Sequence, residues 1–514
     1  MSAPLFLHSQ TDGSTDYTFA NGMITEDAGS YESPHEMVVQ PDGKLLAGTW
    51  SYDVNTDNTD IVLFRYNTDG TRDNSFGTGG KAVFTPDAGG IKEVNIAVEP
   101  GGKIYVATSQ QYADGPLYLL RLNSNGTPDN TFGVNGTLVD SVNAYGQHVD
   151  EMIVQHDGKI VMGGYYWITT PANRTNSYVL RYNTNGTRDN TFGANGFKVI
   201  DLVGMETGGV GESSRLRKMI QQPDGKLLLA GSQRNPGQQT SDWGICRLLP
   251  NGTPDSTFEM DGALIMGMQY NESITGLGLQ NDGSIVAAGG CGNGFLEFRI
   301  FRITPSGTMD TIFGEEADGY GWGYTSLVYQ NFTDHGVSGL YVFPDDKIVA
   351  AGGVGAATGI VVRYEADGDY DATFGDNGIV DTVPPPPSGF TISCMTADTV
   401  SNRIYIAGFY RNQDTGEDVI WIKALRNGPA GPMGTGEEEQ SGKFSVWPNP
   451  AQSFINVSGE NLQRTEIYDL SGKLVHSTSG SYPQQISTDG LAPGVYLIRG
   501  YTAGSVTVRK FIRK

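Results

Sequence analysis

The chain has 514 residues, more than one compact domain usually holds, which predicts a large body with a smaller companion. Hydrophobic residues make up 38%, and 71 Gly and 25 Tyr accompany many Thr and Asn, which favours short strands and tight turns in an all-β fold. The net charge of −23 argues against nucleic acid or an anionic membrane surface as a partner, and no stretch approaches the ~20 apolar residues of a membrane span.

A unit of roughly 60 residues recurs along the chain, a period typical of propellers and solenoids. The first half of each unit is a turn followed by an apolar run, as in PDGKLLAG at Pro41–Gly48. Such a run after a turn signal predicts a strand. Seven copies begin at Pro41, Gly101, His156, Pro223, Asn281, Pro344 and Ser401.

The second half of the unit reads RYNTNGTRDNTFGANG in its clearest copy, and it begins at Arg65, Arg121, Arg181, Arg247, Arg302 and Arg363. The seventh copy is split. The chain opens with the end of a unit, DYTFANG at Asp16–Gly22, and the last unit stops after KALRNG at Lys423–Gly428. A ring of sheets is stable when its first and last sheets are joined, so an N-terminal strand should complete the last sheet. We predict a seven-bladed β-propeller over residues 1–428, with four strands in each blade.

The DGxxDxxFGxxG core of these units resembles the delta-60 repeat family of bacterial surface and secreted proteins. Two copies depart from the pattern, at Glu259 and in the unit from Arg302, where rebuilt turns are expected around residues 315–324. The Asp and Phe of the core recur once per blade, whereas an active site needs one asymmetric constellation. We therefore interpret the Asp as an acceptor for turn N–H groups and the Phe as a plug between blades.

The C-terminal part follows a Gly-, Pro- and Glu-rich stretch, residues 429–443, that predicts a flexible linker. Residues 444–514 alternate as in a small Ig-like β-sandwich. Their motifs resemble the C-terminal sorting domain of type IX secretion substrates of the Bacteroidetes lineage. The resemblance implies export by that machinery to the medium or outer cell surface; an accessory Ig-like binding domain is the alternative. The matching positions are Pro448, Asn449, Pro450, Gly494, Tyr496, Lys510, Arg513 and Lys514.

No local catalytic signature is present: HExxH, GxSxG, a Walker loop and CxxC are all missing from the sequence. We assign no catalytic residue and no metal ligand, and we prefer a binding role to catalysis. The oxygens of the DGT turns leave weak calcium binding open, but they lack the dense acidic spacing of a calcium loop. No other cofactor is expected. Three cysteines exclude a disulfide scaffold, and small buried residues are expected at all three.

The face opposite the regular turns carries loops of variable length, where binding is normally placed on a rigid ring. Aromatic residues concentrate there, and exposed rings could stack on sugars. Packing of the rings against strand ends is the alternative. The candidate binding residues are Trp50, Tyr52, Tyr112, Tyr166, Trp167, Trp243 and Tyr410.

Residues entering the first strand of each blade should line the channel mouth on the same face. His35, Glu36, His148, Asp150 and Glu151 form the second candidate group, suited to acid–base chemistry or to ordinary lining of a wet channel. We expect an adhesin or scaffold that binds an unknown glycan or protein. The alternatives are a polysaccharide lyase or glycosidase acting at the channel mouth, and a structural surface-layer component.

Overall fold

The structure is a computed structural model, and it forms two compact units, Met1–Ala430 and Gly431–Lys514. None of the residues it describes belongs to a helix long and apolar enough to cross a membrane. The predicted linker, residues 429–443, lies outside the described part. That part comprises residues 12–27, 31–53, 58–86, 90–91, 93–110, 115–142, 145–169, 174–200, 202, 213–234, 240–259, 261–267, 271–292, 297–314, 316–317, 323–327, 335–354, 358–382, 391–412, 415–428, 445–447, 453–458, 462–469, 473–480, 484–492, 494–501 and 506–513.

The first unit is built from short strands, as its apolar runs between turn signals require. A 3-10 turn at Ala20–Gly22 precedes the first of them. The strands are β1 (Met23–Glu26), β2 (Tyr31–Val39), β3 (Leu45–Asp53), β4 (Asn58–Tyr66), β5 (Lys81–Phe84), β6 (Asn95–Val98), β7 (Ile104–Ser109), β8 (Leu117–Leu122), β9 (Thr137–Asp140), β10 (Tyr145–Val154), β11 (Ile160–Ile168), β12 (Arg174–Tyr182), β13 (Phe197–Ile200), β14 (Ser213–Gln221), β15 (Leu227–Arg234), β16 (Asp242–Leu248), β17 (Ala263–Met266), β18 (Asn271–Leu279), β19 (Ile285–Gly292), β20 (Glu297–Ile303), β21 (Glu316–Ala317), β22 (Gly323–Leu327), β23 (His335–Val342), β24 (Ile348–Val354), β25 (Thr358–Tyr364), β26 (Ile379–Asp381), β27 (Thr391–Asp398), β28 (Arg403–Arg411) and β29 (Asp418–Arg426).

In the described residues these strands form seven antiparallel sheets, which we number 1 to 7 from the sheet of β2 to the sheet of β27. Their first strands touch in the cyclic order β2, β6, β10, β14, β18, β23, β27 and back to β2, so the sheets surround a central channel. The predicted all-β propeller architecture is confirmed. Sheet 5 differs from the others because β21 adds a fifth strand, pairing Glu316 with Tyr324 where the repeat pattern departs from the consensus.

The N-terminal strand β1 completes sheet 7 by pairing with β29, from Met23 opposite Lys423 to Glu26 opposite Ile420. Buried aromatic and aliphatic residues from this sheet and from sheet 1 share one core cluster, which includes Phe19, Phe64 and Tyr405. The two ends of the repeat region are thus joined by hydrogen bonds and by apolar packing, as the split repeat predicted.

The recurring Arg and Asp of each unit form an ion pair that is buried or half-buried, and the same Arg also reaches the neighbouring sheet. In six units the Arg Nε donates to the Asp eight residues later at 2.7 to 2.9 Å. Its Nη1 donates to a carbonyl in the turn of the next sheet, as from Arg247 to Pro305 at 2.6 Å. At the closure Arg403 takes this place, contacting Asp16 and the carbonyl of Thr68 at 2.6 Å each. We call these contacts the turn pairs.

The recurring Phe fills the gap between sheets, the role expected of it. Phe192 of sheet 3 is fully buried and packs under Gly252, which lies in the turn of sheet 4. Gly252 has φ +83°, and a Cβ there would approach the Phe192 ring at 2.8 Å, so both backbone conformation and space require glycine. Of the cysteines, Cys246 and Cys394 are buried, as expected, and the side chain of Cys291 lies outside the described part.

The second unit contains a three-stranded and a four-stranded sheet in its described residues, ordered β30-β31-β34 and β33-β32-β35-β36. Both sheets contribute to one apolar core that includes Ile455, Ile467 and Phe511. The strands are β30 (Ser445–Trp447), β31 (Phe454–Ser458), β32 (Arg464–Asp469), β33 (Leu474–Ser479), β34 (Gln484–Ser487), β35 (Gly494–Tyr501) and β36 (Val506–Arg513).

Some of the residues matched to the sorting signal stabilise this unit. Tyr496 is buried, stacks on Phe511 at 5.5 Å and donates to the carbonyl of Ala492 at 2.8 Å. Arg513 donates to the carbonyl of Thr488 at 3.1 Å. Gly494 begins β35 on the surface, and Lys510 lies in β36. Pro448, Asn449, Pro450, Lys514 and the Lys510 side chain lie outside the described part.

Candidate functional site

A β-bulge recurs at one place in the first strands and directs a side chain into the channel. In six of these strands the pairing register skips one residue. A β-bulge changes the direction of the side chain of its extra residue. The side chains of all six bulged residues line a cavity of about 570 Å³. The bulged residues are His35, Asp150, Arg217, Thr275, Ser338 and Ser393.

The channel lining is asymmetric although the fold is repetitive. The residue after each bulge also lines the cavity, and it is charged in sheets 1, 3 and 4, at Glu36, Glu151 and Lys218. In sheets 5 to 7 the bulge residues are hydroxyl-bearing. Thr275 donates to the carbonyl of Val337 in the adjacent sheet at 2.7 Å, for example. Among the described lining residues, the charged side chains therefore lie on the side formed by sheets 1 to 4.

The charged side contains two parallel ion pairs between sheets 3 and 4. Arg217 Nη1 lies 2.8 Å from Asp150 Oδ1, and Lys218 Nζ lies 2.8 Å from Glu151 Oε2. Asp150 Oδ2 has no hydrogen-bond partner in the described structure. Together with Glu36, which accepts from the backbone N–H of Ile96, these four residues form what we call the channel cluster.

Burial dominates the electrostatics of the channel cluster. It raises the pKa of Asp150 to about 6, against the opposing charge of Arg217. Burial and then the nearby charge of Glu151 raise the pKa of Glu36 to about 8. For Lys218 burial disfavours the charged form, but the carboxylates of Glu151 and Glu36 outweigh it and raise its pKa. The channel cluster thus contains carboxyl groups that keep a proton at pH values where exposed ones lose it.

Two predicted histidines are held by aromatic rings beside the channel. Trp50 Nε1 donates to His35 Nε2 at 2.8 Å, and burial lowers the pKa of His35. His148 stacks on Tyr165 with ring centroids 4.4 Å apart, and its Nδ1 lies 3.2 Å from Glu93 Oε1. Both imidazoles are therefore fixed in place. No group of three or more His, Cys, Asp or Glu within the described ranges is arranged to hold a metal ion.

A smaller pocket of about 180 Å³ lies between the ends of sheets 3 and 4, and we call it the Trp167 pocket. Its residues come from the strand ends where the variable connections leave the ring. Its walls carry hydroxyl groups, one indole and two guanidinium groups, with no carboxylate among the described lining residues. These are Trp167, Thr175, Ser213, Arg215, Ser232, Arg234 and Ser241.

The pocket and the channel are connected along β14. Arg215 and the bulged Arg217 are two residues apart on that strand. Both guanidinium groups lie over the Tyr165 ring, at 4.9 and 6.0 Å from its centroid. Arg215 also lies 5.4 Å from the Trp167 ring. The Tyr165 ring therefore lies between Arg215 of the Trp167 pocket and Arg217, the partner of Asp150 in the channel.

The structure brings Trp167 to the pocket and four of the predicted residues, His35, Glu36, Asp150 and Glu151, to the channel. The expectation of an exposed ring is wrong for Trp243. It is 0% exposed, lies edge-on to Phe301 at 4.4 Å and donates to the carbonyl of Gly290 at 3.3 Å, so it belongs to the core.

The other aromatic candidates that the structure describes do not line the pocket. Tyr52 is half-buried near the end of β3, Tyr166 packs near Tyr178 at 6.2 Å, and Tyr410 is half-buried against the core of sheet 7. Tyr112 lies outside the described residues. Sequence reasoning missed Arg215, Arg234 and Thr175 because no local pattern distinguishes them. Their common signal is position, since each lies at the end of a strand next to a variable connection.

Two family models match the chain. Residues 445–514 match the secretion system C-terminal sorting domain. Six segments match the domain of unknown function (DUF5122) beta-propeller: 40–76, 100–132, 155–192, 222–258, 280–313 and 344–374. The split seventh unit lies outside these matches. No curated protein matches the chain.

Several solved structures are similar to the chain at low sequence identity. Polysaccharide lyase Uly1 is 11% identical, with 83% of this chain and 94% of that chain covered and a TM-score of 0.47. The β-propeller domain of the Trilobed protease from Pyrococcus furiosus is 10% identical, with 79% and 96% covered and a TM-score of 0.38. A glucose dehydrogenase is 12% identical, with 64% and 95% covered and a TM-score of 0.36. Likeness at this level does not identify a shared activity.

Proposed function

We propose, for this DUF5122 β-propeller protein with a secretion system C-terminal sorting domain, a role as an extracellular binding module that holds a saccharide in the Trp167 pocket. The sorting domain directs export by type IX secretion to the cell surface or the extracellular space. An adhesin or a scaffold at that location needs a ligand site on a rigid support, and the propeller supplies the support.

The chemistry of the Trp167 pocket carries this proposal. An indole offers an apolar face to a sugar ring, while hydroxyl and guanidinium groups bond sugar oxygens. The Thr175 hydroxyl is buried, in a residue 2% exposed, and has no hydrogen-bond partner in the described structure. Buried hydroxyls are normally paired, so an unpaired one beside a cavity favours a polar ligand.

The volume of the Trp167 pocket favours one unit of a saccharide polymer over a small free ligand as the bound group. The pocket volume of about 180 Å³ lies below the roughly 300–1,000 Å³ of sites that enclose a drug-sized molecule. It suits one sugar unit or substituent of a longer chain. Arg215 lines the pocket and Arg217, on the same strand, lines the channel, so neighbouring units of the polymer could extend toward the channel.

A polysaccharide lyase or glycosidase is the second candidate, and Asp150 favours it. Its pKa of about 6 and its unpartnered Oδ2 would suit a proton transfer at the channel mouth. Binding is favoured because the channel carboxyls have structural partners. Asp150 is paired with Arg217, Glu151 with Lys218, and Glu93 bonds His148 and Ser109.

A glycan array probed with the full chain tests both candidates when the released products are also analysed. Trp167→Ala should weaken binding about tenfold, since an aromatic contact contributes on the order of 1 kcal/mol. Tyr17→Ala is the matched control, because Tyr17 is an aromatic residue 63% exposed in a repeat turn. No glycan binding, or binding that Trp167→Ala leaves intact, would refute the proposal. Release of sugar fragments would favour the enzyme.

A further inference from the structure

We infer that the Trp167 pocket selects an anionic group on the saccharide, a carboxylate or a sulfate ester; the inference rests on the proposed binding function. The protein has a net charge of −23, yet the described pocket lining contains two arginines and no acidic residue. An acidic protein repels anions over most of its surface. A local concentration of guanidinium groups reverses that repulsion at one point.

Arg215 is positioned for an incoming ligand. Its guanidinium lies 4.9 Å from the Tyr165 ring centroid and 5.4 Å from that of Trp167, which restricts its orientation. Among the described residues no carboxylate forms an ion pair with it. A planar guanidinium held in this way can bond two oxygens of a carboxylate or sulfate at once.

A comparison with Arg217 strengthens the assignment. Arg217 lies on the same strand, β14, and beside the same aromatic neighbour, Tyr165, but it is neutralised by Asp150 at 2.8 Å. Arg215 lies two residues earlier in the strand. It lines a cavity, whereas Arg217 contacts a carboxylate. An anionic group on the ligand would give Arg215 the countercharge that Asp150 gives to Arg217.

Further donors line the pocket, Arg234 beside Arg215 in sheet 4 and Thr175 in sheet 3. Arg234 is exposed, and its Nη2 lies 3.5 Å from Ser213 Oγ. Ser213 Oγ also accepts from the backbone N–H of Thr175 at 3.3 Å. The unpartnered Thr175 hydroxyl can therefore donate to the same ligand oxygen that Arg215 or Arg234 holds. This gives the pocket three donors around about 180 Å³.

The position equivalent to Arg234 in sheet 7 provides a control. Arg411 also ends the second strand of its sheet, but it forms an ion pair with Asp418 at 3.0 Å. An arginine at this position therefore does not by itself make an anion site. The difference between the two ends is that no carboxylate among the described residues forms an ion pair with Arg234.

The test compares the full chain with its Arg215→Gln, Arg234→Gln and Arg411→Gln variants. Four oligosaccharides serve as probes: oligogalacturonate, its carboxyl-reduced form, a sulfated galactan fragment and its desulfated form. Binding of one charged probe should exceed that of its neutral partner by about tenfold or more. Arg215→Gln should remove most of this ratio, Arg234→Gln part of it and Arg411→Gln none. The charged probe that shows the ratio identifies the anion as carboxylate or sulfate.

The failures of the two proposals can be distinguished. If saccharides bind and Trp167→Ala weakens them, but Arg215→Gln leaves the charged-to-neutral ratio unchanged, the anion inference is wrong and the binding function stands. If none of the probes or array glycans bind, the binding function itself fails. Retention of the ratio in the Arg215→Gln, Arg234→Gln double variant would also overturn the inference.

Discussion

The turn pairs and the channel cluster join neighbouring sheets with the same kinds of side chain, yet their carboxyl groups behave in opposite ways. Asp189 in a turn is buried, which opposes its charge, but donors from Thr191 and Lys159 and the charge of Arg181 outweigh burial and lower its pKa. Asp150 in the channel has one oxygen paired with Arg217 and the other without a partner in the described structure, and its pKa rises to about 6. Burial is the largest cause acting on both carboxyl groups; several donors outweigh it at Asp189, whereas at Asp150 the charge of Arg217 does not.

This difference reverses the effect of pH on stability. A carboxyl group whose folded pKa is lowered stabilises the protein above its unfolded pKa, and that contribution disappears as the pH falls. A carboxyl group whose folded pKa is raised stabilises the folded state most at low pH, and the contribution disappears as the pH rises through the folded pKa. The turn pairs should therefore fail in acid, and the channel cluster should weaken toward pH 8.

Breaking one turn pair should have the largest effect. Asp189→Asn leaves Arg181, whose side chain is 5% exposed, without its countercharge, and we expect a loss of about 3 kcal/mol in the free energy of unfolding. The measurement is guanidinium denaturation followed by tryptophan fluorescence.

Asp157→Asn is the matched control for Asp189→Asn. Asp157 pairs with the same Lys159 that contacts Asp189, but its side chain is 57% exposed, so less than about 1 kcal/mol should be lost. Equal losses in the two variants would mean that the buried turn pairs contribute no more than surface ion pairs.

Glu36→Gln tests the opposite sign in the channel. Between pH 4.5, the ordinary pKa, and about 8, folded Glu36 keeps a proton that the unfolded chain releases, so rising pH favours unfolding. Gln keeps the neutral form and can still accept from Ile96. The variant should gain stability over the parent by up to about 1.4 kcal/mol per pH unit in this range.

The free energy of unfolding of parent and Glu36→Gln at pH 6, 7 and 8 supplies the comparison. The other charged groups of the channel are present in both proteins, so the gap between the two proteins reports mainly on Glu36. The gap should widen by about 2 kcal/mol from pH 6 to pH 8. A gap that stays constant would show that Glu36 is ionised throughout.

The sequence repeat made the turn pairs predictable, but it made the channel cluster only partly predictable. The Asp and Phe of the turns recur at fixed spacing, so their structural role and the closure by β1 follow from the sequence. The channel residues His35, Glu36, Asp150 and Glu151 could be placed at the first strands, but the bulges that direct His35 and Asp150 inward leave no local pattern.

The Trp167 pocket was the hardest part to foresee. Its residues lie at the ends of strands in two units, and only the packing of sheet 3 against sheet 4 brings Trp167, Arg215 and Arg234 together. For Trp243 the sequence predicted a binding residue, and the structure places it in the core. It stands beside a variable loop in the sequence, but its strand, β16, is buried along its whole length.

Sheet 5 offers the smallest and most specific test, because its turn Asp lacks a lysine contact that five other sheets have. In sheets 1, 2, 3, 4 and 6 a Lys contacts the turn Asp, as Lys159 contacts Asp189 at 3.1 Å and Lys226 contacts Asp255 at 3.3 Å. Sheet 5 has Ser284 at this position, and its Asp310 is 17% exposed. Ser284→Lys should add the missing donor and stabilise the protein by up to about 1 kcal/mol, less at high salt. Ser284→Met adds similar length without charge and should give no such gain; if it stabilises equally, packing rather than donor number distinguishes the turns.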